Sequence, residues 1–134
     1  MITADDILTS SGRYPERQIE SPPTEEMLAN ATQLAAKATA LLVDFGQSRQ
    51  VVSGYRPSEA NALANGAKAS NHLTCKAADL ADPDRHELAA WCVTPDGTAS
   101  LERNGLWVES PKYTPGWVHV QIVPPKSGTR FFIP

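Results

Sequence analysis

The chain has 134 residues, 41% hydrophobic and 20% charged, with a formal net charge of -3 and an isoelectric point near 5.5. That length suits one domain with a real core, and the acidic balance argues against a nucleic-acid partner. No apolar run approaches the roughly 18 residues that a membrane span needs.

Residues 1–23 are polar and rich in turn formers. They read as an arm on a domain that runs from 24 to 134. The opening Met-Ile-Thr-Ala-Asp-Asp shows no positive region followed by an apolar stretch, so no Sec signal is visible and synthesis in the cytoplasm is expected. The clearest helix follows the arm. Thr24 is placed to cap it, Glu25 and Glu26 suit the positive end of its dipole, and Gly46 stops it. Met27, Leu28, Ala31, Leu34, Ala35, Ala38, Leu41, Leu42 and Phe45 recur at helical spacing, so one face is buried.

Gln50–Ser53 reads as a short strand, followed by Gly54-Tyr55-Arg56-Pro57. A short helix is expected over Ser58–Ala64, closed by Asn65-Gly66, and Ala77–Leu80 is a second strand. Asp82 and Pro83 suit the cap and first turn of a helix running to about Val93. On it, Leu88 and Trp91 are expected to face the sheet, and His86 is a surface or half-buried residue. After a turn at Pro95-Asp96-Gly97, a short helix through Leu101 ends at Asn104-Gly105. Leu106–Glu109 and Trp117–Val123 are two antiparallel strands joined by a loop that holds Pro111 and Pro115. The order predicts an α+β domain, its small, mainly antiparallel sheet backed by the long N-terminal helix. Cys75 and Cys92 form no C-x-x-C pair and are expected as reduced thiols.

His72, Asp79 and His119 carry the strongest chemical signal. Strand alternation puts Trp117, His119, Gln121 and Val123 on one face and the aliphatic Val118, Val120 and Ile122 on the other, which should meet the core. His119 therefore points away from the core with Gln121 beside it. Asp79 shares a face with Ala77, and the small alanines leave room near it. If these strands are neighbours, the three side chains converge. Two imidazoles and one carboxylate fill three of the four positions zinc prefers and leave the last for water.

The segments Ser53-Gly54-Tyr55-Arg56, Ser70-x-His72 with Ala77-x-Asp79, and Trp117-Val118-His119-Val120 together resemble the peptidase M15 family. Its members are zinc D,D-carboxypeptidases and L-alanyl-D-glutamate endopeptidases of peptidoglycan, several of them phage endolysins. The likeness runs from about Thr24 to the C-terminus. It implies the fold shared with the hedgehog signalling domain, Zn2+ held by His72, Asp79 and His119, and a peptidoglycan stem peptide as substrate. It also implies that Arg56 grips a substrate carboxylate, which a guanidinium can hold through two parallel hydrogen bonds. Ser70 orients His72, donates to substrate or is a plain loop serine. Trp117 either packs inward or lines a substrate groove, while Trp107 is expected in the core.

Three positions depart from the family pattern. Where the family usually has glycine between the first His and the Asp, this chain has Cys75, which predicts a slightly different loop. A thiolate there would also be a fourth ligand and would close the site. The acid that many members carry three residues before the last His is Gly116, and the acid others carry two residues after it is Gln121. Peptide hydrolysis needs a base to carry a proton from water to the leaving amine. Glu109, at the end of a neighbouring strand, is the substitute, with Gln121 orienting substrate or stabilising the developing oxyanion. The leading expectation is a monomeric zinc peptidase of phage or prophage type, released to the wall by another factor. The alternative is a catalytically silent zinc-bearing domain that binds wall peptides or a protein partner.

Overall fold

A computed structural model describes residues 1–9, 23–55 and 70–134 of the chain. The expected arm begins as a helix, α1 (Ala4–Thr9). The Asp6 carboxylate accepts the Thr3 N–H at 2.8 Å and the Thr3 hydroxyl accepts the Asp6 N–H at 3.2 Å, a reciprocal cap that starts it. Ile2, Ile7 and Leu8 are buried and join the main core. Six residues give too little periodicity for such a helix to be visible in sequence. The rest of the arm, 10–22, lies outside the described residues, as do the expected helix Ser58–Ala64 and its Asn65-Gly66 stop.

The long helix α2 (Glu25–Phe45) forms as its sequence dictates. Thr24 Oγ1 accepts the Met27 N–H at 3.1 Å, and Gly46, with φ 92°, donates its N–H to the Leu42 carbonyl. Its buried stripe of Ala31, Leu34, Ala35, Ala38, Leu41 and Leu42 shares one core with Ala78, Leu80, Val108, Val118 and Val120 of the sheet. Five strands make that sheet: β1 (Val51–Ser53), β2 (Ala77–Ala81), β3 (Trp107–Glu109), β4 (Trp117–Gln121) and β5 (Phe131–Phe132). They lie in the order β1-β2-β4-β3-β5, antiparallel except for β3 against β5. The result is an α+β domain with a mainly antiparallel sheet. Strand β5 was not expected from sequence, because two residues cannot display an alternation.

Two helices start elsewhere than the sequence suggests. Helix α3 (Glu87–Cys92) begins well after the Asp82-Pro83 pair, because Asp84 and His86 take left-handed φ values of 60° and 52°. Asp82 still caps it from upstream. Its buried carboxylate accepts the N–H groups of Leu88 at 3.0 Å and Ala89 at 2.9 Å, with Arg49 Nε 3.7 Å away. Leu88 is buried in the core, and Trp91, half-buried, packs against that core and meets Phe45 of α2, ring centroids 5.3 Å apart. Helix α4 (Pro95–Arg103) uses the supposed turn as its first turn: Thr94 Oγ1 accepts the Gly97 N–H at 3.1 Å, and Pro95 opens the helix. Gly97 is required for packing, since a Cβ there would meet the Trp91 carbonyl oxygen at 2.0 Å. Among the described residues, no helix is long and apolar enough to cross a membrane.

Asp82→Ala would leave two buried helix N–H groups without their charged acceptor. A loss of about 2–3 kcal/mol is expected, seen as a lower urea midpoint with an unchanged slope. An unmoved midpoint would show that this carboxylate does not hold α3 in place.

Candidate metal centre

The antiparallel register of β2 and β4 sets Asp79 opposite His119, and both side chains leave the sheet on the face away from the aliphatic core. Asp79 Oδ1 lies 3.0 Å from His119 Nδ1. His72 comes from a different kind of element, a single 3-10 turn over Asn71–Thr74 just before β2. That turn is pinned at both ends. Ser70 Oγ accepts the His72 N–H at 3.2 Å, and Asn30 of α2 donates its amide to the Thr74 carbonyl at 2.9 Å. Ser70 thus holds the backbone of His72 through its hydroxyl. His72 is buried, with Nδ1 2.7 Å from the Gly54 carbonyl and Nε2 3.5 Å from Asp79 Oδ1.

These contacts fix the proton on His72. A carbonyl only accepts, so Nδ1 donates to Gly54 and a neutral ring keeps its lone pair on Nε2, facing Asp79. One ligating atom from each of His72, Asp79 and His119 lies within 4.8 Å of the other two. Ligands about 2.0–2.1 Å from a tetrahedral zinc stand about 3.3 Å from one another. The observed 3.0 and 3.5 Å separations from Asp79 bracket that value, so the donor set fits such an ion. Cys75 is not part of the group. Its thiol is buried in the hydrophobic core, and burial pushes its pKa up to about 11. Cys75 and Cys92 are both free thiols.

The loop at Cys75 corrects one expectation. Its φ of 61° and ψ of 27° are the left-handed geometry a glycine would favour, so the loop keeps that shape without glycine. The strain costs on the order of 1–2 kcal/mol, and full burial of the side chain offsets it.

Continuing the β3–β4 register by one residue sets Glu109 opposite His119, and β5 sets Phe132 beside Glu109. Asp79, His119, Glu109 and Phe132 therefore form one transverse row across four strands. Glu109 is close enough for its charge to act on His119. The Phe132 ring stands edge-on to the His119 imidazole, centroids 5.9 Å apart at 84°. Neither the Phe132 contact nor the Gly54 and Asn30 anchors gave a sequence signal, since each is a long-range meeting of unremarkable residues. Trp117 is half-buried on the His119 face, opposite Ala81. Trp107 is half-buried too, not in the core, and lies under the Arg130 guanidinium at 4.7 Å.

Gln121 departs from its expected role. Its side chain is nearly fully buried, with Oε1 2.9 Å from His119 Nε2 and Nε2 donating to the Val123 carbonyl at 2.8 Å. Both ends of the amide are engaged inside the protein. Gly116, a position where the family resemblance implies an acid, has φ +90°, a conformation that disfavours any side chain. Arg56 lies outside the described residues. His86 stands apart from the cluster, its Nδ1 2.8 Å from the Asp82 carbonyl.

Fold and site together define an α+β domain carrying a His/Asp/His cluster whose ligand atoms lie within 4.8 Å of one another. The model of the peptidase M15 family matches residues 3–121, a stretch that holds all three converging residues. The chain belongs to the peptidase M15 family and is a metallopeptidase by that membership. No curated protein matches it, and no solved structure does.

The cluster has a definite pH signature. Burial pushes the Asp79 carboxyl up, but the neighbouring His72 and His119 imidazoles outweigh it and hold its pKa well below the usual range. Burial pushes His119 down, but the Asp79 hydrogen bond and charge, with Gln121 and Glu109, outweigh it and raise its pKa. A raised imidazole contributes fully below its unfolded pKa of about 6.5 and loses that contribution as pH rises through the folded one. Metal-free protein in chelator should therefore lose stability as pH climbs above about 6.5, whereas the Asp79 contribution is lost only in strong acid. Thermal unfolding read across that climb tests the assignment, and an unchanged midpoint would contradict it.

Proposed function

We propose that the protein is a zinc-dependent peptidase that hydrolyses a peptide bond of peptidoglycan, as a phage- or prophage-type lysin acting at the cell wall. The observation that carries this reading is the convergence of the His72, Asp79 and His119 tips within reach of one cation. It stands beside membership of the M15 family. His72 through Nε2, His119 through Nδ1 and Asp79 through a carboxylate oxygen are the proposed ligands. A zinc ion held there supplies Lewis-acid activation of water and of the scissile carbonyl.

The chain's own residues do the rest. Glu109, in the same row as His119, takes the proton of the attacking water and delivers it to the amide nitrogen as the C–N bond breaks. Arg56 grips a carboxylate of the stem peptide, and Trp117, half-buried on the same face as His119, lines the groove. Ser70 serves indirectly by holding the turn that carries His72. A second reading has one specific support: neither Gly116 nor Gln121 can act as a base. On that reading the domain holds zinc, binds wall peptides and cuts nothing.

Purified peptidoglycan digested with and without a chelator, its fragments weighed by mass spectrometry, separates the two. Fragments that vanish with chelator and return with zinc are expected, and their masses name the bond. Glu109→Gln should retain zinc yet lose activity by about 10²- to 10⁴-fold. Wild-type protein that binds zinc and releases no fragments would establish the silent domain.

A further inference from the structure

The buried amide of Gln121 has only one consistent orientation. The Val123 carbonyl can only accept, so the end of Gln121 that faces it at 2.8 Å must be the NH₂ group. The amide oxygen then faces His119 Nε2 at 2.9 Å, and that oxygen too can only accept. Nε2 therefore carries a proton, and a neutral ring has its lone pair on Nδ1, the atom 3.0 Å from Asp79. His72 is held in the opposite tautomer by Gly54, with its lone pair on Nε2. The two rings stand 5.1 Å apart at 69° and present unlike nitrogens to one point.

We propose that Gln121 is a positioning residue that presents the Nδ1 of His119 to the divalent cation, and that it does not contact substrate. The proposal rests on the metal reading above. Its anchor, Val123, precedes Pro124-Pro125, whose restricted φ angles stiffen the chain that offers the carbonyl. Val123 lies beyond the stretch matched by the family model, as does Phe132, whose ring edge bears on the same imidazole. The segment after residue 121 thus braces His119 at its far nitrogen and against its ring. An acceptor on the far nitrogen of a ligating histidine fixes the ring and makes it a better donor to the metal.

The test compares Gln121→Leu and Gln121→Glu with wild type, measuring zinc affinity by competition with a chromophoric chelator. The Leu variant, which fills the space without an acceptor, should bind zinc about 10- to 100-fold more weakly. The Glu variant loses the Val123 anchor but keeps an acceptor for Nε2–H, and should bind at least as tightly as wild type. A side chain needed only for packing would give the reverse, because Glu buries a charge where Leu does not. In zinc-loaded protein with ¹⁵N-labelled histidine, the His119 Nε2–H should give a proton resonance protected from exchange in wild type and absent from the Leu variant. Wild-type protein that binds no zinc overturns the metal reading and this one together. Wild type that binds zinc, with a Leu variant equally tight and its resonance intact, overturns this one alone.

Discussion

The register between β2 and β4 is the constraint on which the site depends. Asp79 faces His119 because Ala78 pairs with Val120 and Leu80 with Val118, and those four side chains are buried on the opposite face. A slip of one residue would turn His119 into the core and bring valines to the surface. The hydrophobic effect thus sets the polar geometry without touching it. His72 is brought in by other means. It sits on a short turn that has no sheet register of its own, so Ser70, Asn30 and Gly54 hold it by hydrogen bonds.

Within the cluster, Asp79 stands between two imidazoles and serves both. In metal-free protein a proton on His119 answers its charge, so the same geometry that suits a cation also suits an imidazolium. Acceptors outside the cluster decide which nitrogen of each ring is left for the ion: a backbone carbonyl behind His72, an anchored side-chain amide behind His119. Buried polar groups of this kind keep their geometry because every hydrogen bond has a fixed acceptor. The turn before β4 has its own restriction. With φ +90°, Gly116 disfavours any side chain, and Glu109 is the carboxylate besides Asp79 that shares the His119 row.

The mixture of legible and illegible features follows the range of each signal. Helix α2 showed its cap, its stripe and its stop within one contiguous segment, and the structure keeps all three, except that Leu28 of the stripe is exposed. Helix α3 did not, because two left-handed residues after Asp82 delay its start while the carboxylate reaches forward to cap it. Strand β5 carries two residues and borrows its conformation from β3. Cys75 shows the opposite case, in which a missing glycine suggested a changed loop, yet the residue takes the left-handed geometry a glycine would favour with its side chain fully buried.

The sequence by itself determined the ingredients: a long amphipathic helix, strands with one aliphatic face, and His72, Asp79 and His119 in the setting of the M15 family. Period-two alternation was enough to say which way His119 points, since side-chain direction in a strand is a local property. Only the tertiary structure decided that Gln121 turns to His119 instead of outward, that Phe132 flanks the ring, and that Glu109 lies in its row. Those are contacts between separate strands or between a side chain and a distant carbonyl. Pairing and packing of the whole sheet create them, and no local pattern of residues encodes them.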